Sequence, residues 1–357
     1  MFNKKTVRDV DVVGKIVLER VDYNVPIDGG VIVDDFRVRE SLATIKYLLG
    51  NGAKKIVLLA HMGRPDGERK EEFSLAPVAV RLSDLLHGEV EVGFCAETIG
   101  EKVTEAVNIM GEGSVLLLEN VRFDAREEEN SMEFAQAIVD AVKPDLFVED
   151  GFGVVHRAHS STEAITHLLP SVAGLLLEKE VSNLSQAQNP VSPSLAIIGG
   201  AKVEDKAPLI ERFVEKYDKV AIGGKIANEY KSDNPKIVLA TDFVYGEDGN
   251  AYDIGPESAQ RIADMMEGTK TVLWNGILGM AEDARYAHAS EVVAEAMGML
   301  PADTITVVAG GDTTGFVENY ASDKQELHYS LLSTGGGAAL EFLLGEKLPG
   351  IEALEDK

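Results

Sequence analysis

Short apolar runs recur along the chain with amphipathic stretches between them. In the first half they fall at 15–21, 56–60, 115–118 and 146–148, and in the second at 195–198, 219–222, 236–240, 271–274 and 304–308. Each is too short for a helix and nearly continuous in apolar residues, which predicts strands buried on both faces. Between them, 37–49 carries Val38, Leu42, Ile45 and Leu49 at helical spacing before Gly50 and Gly52 stop it. Similar patterns predict helices at 77–86, 132–142, 205–217 and 257–266. Strands separated by helices, repeating roughly every 20–35 residues, make βαβ units and a parallel sheet. The expected class is α/β.

The rhythm breaks at 186–194, a polar stretch holding Pro190 and Pro193, and then restarts. A long apolar helix is predicted just before it, at 171–184. The economical architecture is two doubly wound, Rossmann-like parallel-sheet domains joined by an interdomain helix, with a cleft between them. A chain of 357 residues, 45% of them hydrophobic, can fill two cores.

Composition narrows the partners. A formal net charge of -26 repels polyanions, so neither nucleic acid nor an anionic membrane is expected to bind. One cysteine, Cys95, excludes a disulfide framework and a cysteine-built zinc site. The opening residues lack a signal-peptide core and no run nears the roughly 18 apolar residues of a membrane span, so a cytoplasmic protein is expected.

Against that negative field, Arg37, Arg64, Arg122 and Arg157 follow the four strand-like runs of the first half, and His61, His156 and His159 lie within three residues of Arg64 or Arg157. Loops beyond the carboxyl ends of parallel strands converge on the ligand crevice, so the arginines are expected to gather around an anion. The alternative is scattered surface arginines pairing with plentiful carboxylates.

The corresponding loops of the second half carry glycine: Gly199-Gly200-Ala201-Lys202, Gly223-Gly224-Lys225, Asn275-Gly276, Gly310-Gly311-Asp312-Thr313 and Thr334-Gly335-Gly336-Gly337. Glycine turns that open helices expose amides which cradle phosphate, and singly they also serve as plain tight turns. No P-loop, dinucleotide fingerprint or protein-kinase signature set is present. Asp312 suits either a magnesium ion or a helix N-cap. Lys202 and Lys206, four apart at a helix start, put two ammonium groups on one face, or form a solvated charged face.

Taken in order, several stretches resemble one family, phosphoglycerate kinase: Arg20-Val-Asp-Tyr-Asn-Val-Pro26, His61-Met-Gly-Arg-Pro65, Glu119-Asn-Val-Arg-Phe123, Phe152-Gly153 with His156-Arg-Ala-His159, Gly199-Gly-Ala-Lys-Val-Glu-Asp-Lys206, Asp253-Ile-Gly-Pro256, Trp274-Asn-Gly276, Gly310-Gly-Asp-Thr313 and Ser333-Thr-Gly-Gly-Gly-Ala338 with Leu348-Pro-Gly350. The resemblance implies a phosphoglycerate-binding domain over 1–170 with a C-terminal return at 338–357, a hinge helix at 171–188 containing Glu180, and a nucleotide-binding domain over 189–337. It implies that Asp22, Asn24, Arg37, His61, Arg64, Arg122 and Arg157 hold 3-phosphoglycerate. On the nucleotide side it implies Lys202 and Lys206 at the phosphates of ATP or ADP, Glu282 at the ribose and Asp312 at Mg2+. Gly200, Gly223, Gly224, Asn275, Gly311 and Thr313 complete that site, and Arg37, Lys202, Gly336 and Gly337 serve the moving phosphoryl group. The chain departs from the family pattern where 228–236 is short, at Ile277, where proline is usual, and at Lys225, where glycine is common.

The implied reaction is reversible phosphoryl transfer between 1,3-bisphosphoglycerate and ADP, by a monomer, with hinge closure and charge stabilisation. It needs no general base, because the accepting carboxylate is already ionised at pH 7. The competing expectation is a paralogue that binds phosphoglycerate and has lost transfer. Survival of Lys202, Lys206, Glu282 and Asp312 speaks against it.

Overall fold

The computed structural model describes residues 2–357, without the side chain of Asp205. The chain divides into two compact units, Met1–Lys179 with Lys347–Lys357, and Glu180–Glu346.

In the first unit six strands, β1 (Ile16–Arg20), β2 (Lys55–Leu59), β3 (Val92–Cys95), β4 (Ser114–Leu118), β5 (Leu146–Glu149) and β6 (Ser171–Ala173), form one sheet in the order β3-β4-β2-β1-β5-β6. Every pairing in it is parallel. The pleat sends alternate residues to opposite faces. On one face Val17, Ile56, Leu58, Val115 and Leu117 pack with Val38, Ile45 and Leu48 of helix α1 (Phe36–Gly50) and Val78 and Leu82 of α2 (Ala76–Leu85). On the other, Leu18, Val57, Leu59, Leu116 and Phe147 meet Val103 and Val107 of α3 (Glu101–Ile109) and Phe134 and Ile138 of α4 (Met132–Val142). Each buried aliphatic side chain contributes about 1.5–3 kcal/mol relative to exposure, so the two faces reinforce one strand order.

α4 starts where Ser131 Oγ accepts the amide of Phe134 and stops at Lys143, whose left-handed φ of 53° ends the helix. Helix α5 (Leu175–Gln188) follows β6, and the division between the units falls within it, at Glu180.

The second unit repeats the plan. Strands β7 (Ser194–Ile198), β8 (Lys219–Ile222), β9 (Ile237–Leu239), β10 (Thr271–Asn275), β11 (Ile305–Ala309) and β12 (Leu331–Leu332) pair in parallel in the order β9-β8-β7-β10-β11-β12. Between or after them come α6 (Val203–Lys216), α7 (Pro256–Asp264), α8 (His288–Gly298), α9 (Gly311–Ala321) and α10 (Gly337–Leu344). A separate antiparallel hairpin pairs Phe243–Tyr245 with Ala251–Ile254. In both sheets the strand order reverses beside the first strand, between β1 and β5 and between β7 and β10, and such a switch point opens a crevice at the strand carboxyl ends.

Two expectations are corrected. The helix predicted from 171 is a strand for three residues and a helix only from Leu175. Gly174 separates them: a Cβ there would lie 2.1 Å from Asp150 Oδ1, the atom that accepts the amides of Leu176 and Leu177 at 2.9 and 3.0 Å. A continuous apolar run gives periodicity no means of detecting that break. The polar stretch 186–194 finishes α5 with its first three residues, and Ser194 opens β7. The chain rejoins the first unit at Lys347, not at 338, because α10 packs on α6.

The two chain ends pair within the first unit. The Lys5 amide donates to Glu355 O at 2.8 Å, Lys4 bridges antiparallel to Asp356, and the Lys357 amide donates to Asn3 O at 3.0 Å.

Candidate functional site

The first candidate site begins at the ends of β1, β2, β4 and β5. Asp22, 5% exposed, follows β1 and forms an ion pair with Arg37 at 3.0 Å, and Arg37 Nη1 also donates to the carbonyl of Asn24 at 3.0 Å. Arg37 is the second residue of α1, so the helix start delivers it to the loop after β1. The Asn24 side chain accepts the Gly63 amide at 2.9 Å, and Arg122 donates to the Gly63 carbonyl at 2.9 Å, which ties together the loops after β1, β2 and β4. Asn120 Nδ2 reinforces them by donating to Met62 O at 2.7 Å.

Electrostatics show how closely the cations gather. Burial, then Arg122, Arg20 and Arg37, push the His61 imidazole well below its ordinary pKa. Burial, then Arg122, Arg20, Arg157 and His156, push His159 down to about 3. Both rings are therefore neutral at pH 7 and lie among arginines. Arg37, Arg122, Arg157 and His61 come together as expected, while Arg64 is exposed on the loop that Asn24 and Arg122 brace. Among the described residues no ion pair holds Arg64 or Arg157. The scattered-surface reading fails for Arg37 and Arg122, which Asn24 and Gly63 join, and for Arg157, which acts on His159 together with Arg122 and Arg20.

One member escaped the sequence reading. Arg20, 1% exposed, is the last residue of β1 and its guanidinium reaches Ser161 and His61. It closes β1 directly after Glu19, so two adjacent charges end an apolar strand and both are buried, a placement that demands partners.

In the second unit the parallel register sets the glycine loops after β7, β8, β10, β11 and β12 at one sheet edge. Their roles differ from a uniform amide cradle. The amides of Gly200, Gly223 and Gly224 donate to the carbonyls of Ile277, Ile198 and Leu278, so they are spent on joining strand ends. Glycine is required here by close approach: a Cβ on Gly224 would lie 2.7 Å from Gly200 N, and its φ of 65° is left-handed. Asn275 and Thr313 are also buried ties, with Asn275 Nδ2 donating to Ala309 O at 2.8 Å and Thr313 Oγ1 accepting the Gly276 amide at 2.8 Å. Lys206 Nζ donates to Asn275 Oδ1 at 2.5 Å, and Lys202, at the N-cap of α6, is exposed.

Amides remain at two helix starts. The first bonds of α9 and α10 run from Thr314 to Gly310 and from Ala338 to Gly335, leaving Gly311, Asp312, Gly336 and Gly337 in the turns that precede or open those ladders. Asp312 is not the cap of α9, which Gly310 occupies.

A cavity of about 650 Å³ opens at this edge, lined by Gly200, Gly224, Ile277, Glu282 and Asp312 together with Tyr245 and Tyr252 of the hairpin. Sequence reading missed the hairpin wall. Its signal was 243–254, two apolar stretches around Gly-Glu-Asp-Gly-Asn, a hairpin pattern.

One doubly wound sheet carries a cluster of arginines and neutral histidines and another carries helix-start amides beside an acid-rimmed cavity, an arrangement of the kind a phosphotransferase needs. Comparison makes this specific. The sequence model of the phosphoglycerate kinase family matches residues 7–238 and 229–346. A phosphoglycerate kinase from Rippkaea orientalis is 42% identical over 97% of this chain and 97% of its own, and one from Coprothermobacter proteolyticus is 40% identical over 98% of each. The solved phosphoglycerate kinase of Pyrococcus horikoshii superposes with a TM-score of 0.84 at 27% identity over 99% of this chain and 98% of its own. That of Coxiella burnetii gives 0.79 at 29% over 98% of each. The chain belongs to the phosphoglycerate kinase family.

Proposed function

We propose that the protein transfers a phosphoryl group reversibly between 1,3-bisphosphoglycerate and ADP, giving 3-phosphoglycerate and ATP, the exchange that links the two in glycolysis and gluconeogenesis. The observation that carries this reading is the convergence of Arg20, Arg37, Arg122 and Arg157 on two neutral histidines, in a chain of net charge -26 that belongs to this family.

In the first unit Asp22, Asn24, Arg37, His61, Arg64, Arg122 and Arg157 bind the phosphoglycerate. Two anionic groups on a small acid match guanidinium forks and neutral N–H donors. In the second unit the hairpin cavity takes the nucleoside, Glu282 accepts from the ribose hydroxyls, and Lys202 and Lys206 meet the phosphates. Asn275 and Thr313 act indirectly, through the strand ends they tie. No general base is required, since the nucleophile is a carboxylate, and neutral buried histidines are suited to donating hydrogen bonds rather than shuttling protons. Arg37, Lys202 and the amides of Gly336 and Gly337 stabilise the charge of the transferring group.

The residues present suit magnesium. Asp312 is an exposed hard carboxylate on the cavity wall, and among the described residues no hydrogen bond or ion pair occupies its side chain. It would hold the ion together with nucleotide phosphate oxygens, and the bound ion would neutralise phosphate charge.

The deciding experiment is transfer from ATP to 3-phosphoglycerate by the purified protein with magnesium supplied, run with GTP in parallel because 228–236 is short. Turnover with either nucleotide supports the assignment. Calorimetric binding of 3-phosphoglycerate without turnover from either would overturn its catalytic half.

A further inference from the structure

The Arg20 guanidinium lies in a chain of buried contacts in which it donates towards both ends. Glu127, Ser161, Arg20 and His61 are 0%, 0%, 1% and 4% exposed, so water does not compete for their polar atoms. Ser161 Oγ donates to Glu127 Oε1 at 2.6 Å, and Glu127 Oε2 also accepts the Ser161 amide at 3.0 Å. With its only proton committed, the Ser161 hydroxyl accepts from Arg20 Nε at 2.8 Å. Arg20 Nη1 donates to Val21 O at 2.5 Å, which holds the guanidinium plane from a second side. The remaining nitrogen, Nη2, lies 3.4 Å from His61 Nδ1. A guanidinium has donors only, so that imidazole nitrogen has to accept.

We propose that Arg20 is a positioning residue which fixes His61 as its Nε2–H tautomer, so that the ring presents one fixed donor to an oxygen of the substrate. This rests on the reading of His61 as a phosphoglycerate contact. The ligand group facing His61 is then an acceptor, a carboxylate, phosphate or hydroxyl oxygen, and a ligand offering a donor at that point is rejected. Four cationic or protonatable groups, Arg122, Arg20, Arg37 and His159, oppose a second proton on the ring. The alternative tautomer would set N–H against N–H and lose the contact.

The test reads tautomer first and kinetics second. Histidine ring nitrogen spectra of the ligand-free full chain, assigned against His61→Gln, are expected to show a pyridine-type Nδ1 and a pyrrole-type Nε2 at His61. A pyrrole-type Nδ1 overturns the proposal. Arg20→Gln is expected to mix the tautomers and raise the KM for 3-phosphoglycerate about tenfold or more, leaving the KM for ATP unchanged, with Arg20→Lys restoring part of the effect because an ammonium also only donates. An unmixed tautomer in a folded Arg20→Gln overturns it as well. Should Arg20→Gln fail to fold, Ser161→Ala, which frees Nε while keeping the charge, is read by the same criterion. If the Nε2–H tautomer is present but its signal ignores added 3-phosphoglycerate, the tautomer assignment stands and the substrate role of His61 falls.

Discussion

Arg37 is bound by Asp22 through Nη1 alone, at 3.0–3.2 Å, so most of its fork remains for an anion. Arg37→Ala is expected to lower turnover by more than about a hundredfold with an unchanged far-ultraviolet dichroism spectrum, and Lys202→Ala likewise. Near-normal turnover in either variant removes that residue from the mechanism. The neutral histidines carry a pH consequence. For His159 the folded pKa, about 3, lies below the unfolded value near 6.5, so between these pH values the unfolded chain takes up a proton that the native one refuses. His159 therefore costs stability progressively as pH falls from 6.5 toward 3. Most of this site could be read from sequence, because loop arginines after strands have one place to go. Arg20 could not: inside a strand, pattern alone does not say whether a charge is an edge residue or a paired core residue. Which glycine amides are spent on neighbouring strand ends was not legible for a related reason, since glycine permits close backbone approach as readily as ligand contact.

At the scale of elements, α5 begins on a buried acidic pair. Asp150 Oδ1 caps its first turn, and Thr44 Oγ1 of α1 accepts the Leu175 amide at 2.9 Å. Glu19 of β1, fully buried, has no hydrogen-bond partner on either oxygen, and neither has Asp150 Oδ2. Burial, with Asp150 and then Glu149 nearby, holds Glu19 well above the carboxylate range, and burial raises Asp150 to about 7, with Glu40 adding to it and the Thr44 and helix amide bonds opposing. For a raised acid the sign reverses. Between the unfolded value of 3.8 and about 7 the native state keeps a proton that the unfolded chain releases, so this pair lowers stability as pH rises. Glu19→Gln, of equal shape and without a proton to lose, is expected to be near neutral at pH 5 and to raise Tm at pH 8 by about 2–4 °C, on the order of 1 kcal/mol. Equal shifts at both pH values would refute the account in which the native pair retains a proton that the unfolded chain releases. Close packing sets a second limit. A Cβ on Gly199 would lie 2.2 Å from Ile277 O and 2.3 Å from Gly276 O, so Gly199→Ala is expected to cost about 3 kcal/mol or more in denaturant melts. The strands and helices themselves were largely legible, Met132–Val142 and Lys219–Ile222 to the residue. What failed was the join at Gly174, where a tertiary contact with Asp150 breaks an apolar run that looks continuous.

For the whole molecule, two units with separate cores make ligand stabilisation divisible. At a hundred times its Kd, 3-phosphoglycerate is expected to add about 2.7 kcal/mol to the unit that binds it. Arg122→Ala should abolish that shift in a calorimetric scan while preserving the shift given by MgADP. Loss of both shifts would mean that the two ligands do not report on separate units. The overall alternation announced two α/β units, but within the helix expected to join them the point of division carries no change of pattern, because that helix is shared by both. The paired chain ends have a further consequence. With the Lys5 amide on Glu355 O and the Lys357 amide on Asn3 O, the backbone is nearly a closed ring. Its opening point is arbitrary in physical terms: a circular permutant joined through a few glycines across those ends and cut at an exposed turn such as 247–249 should fold to the same two sheets.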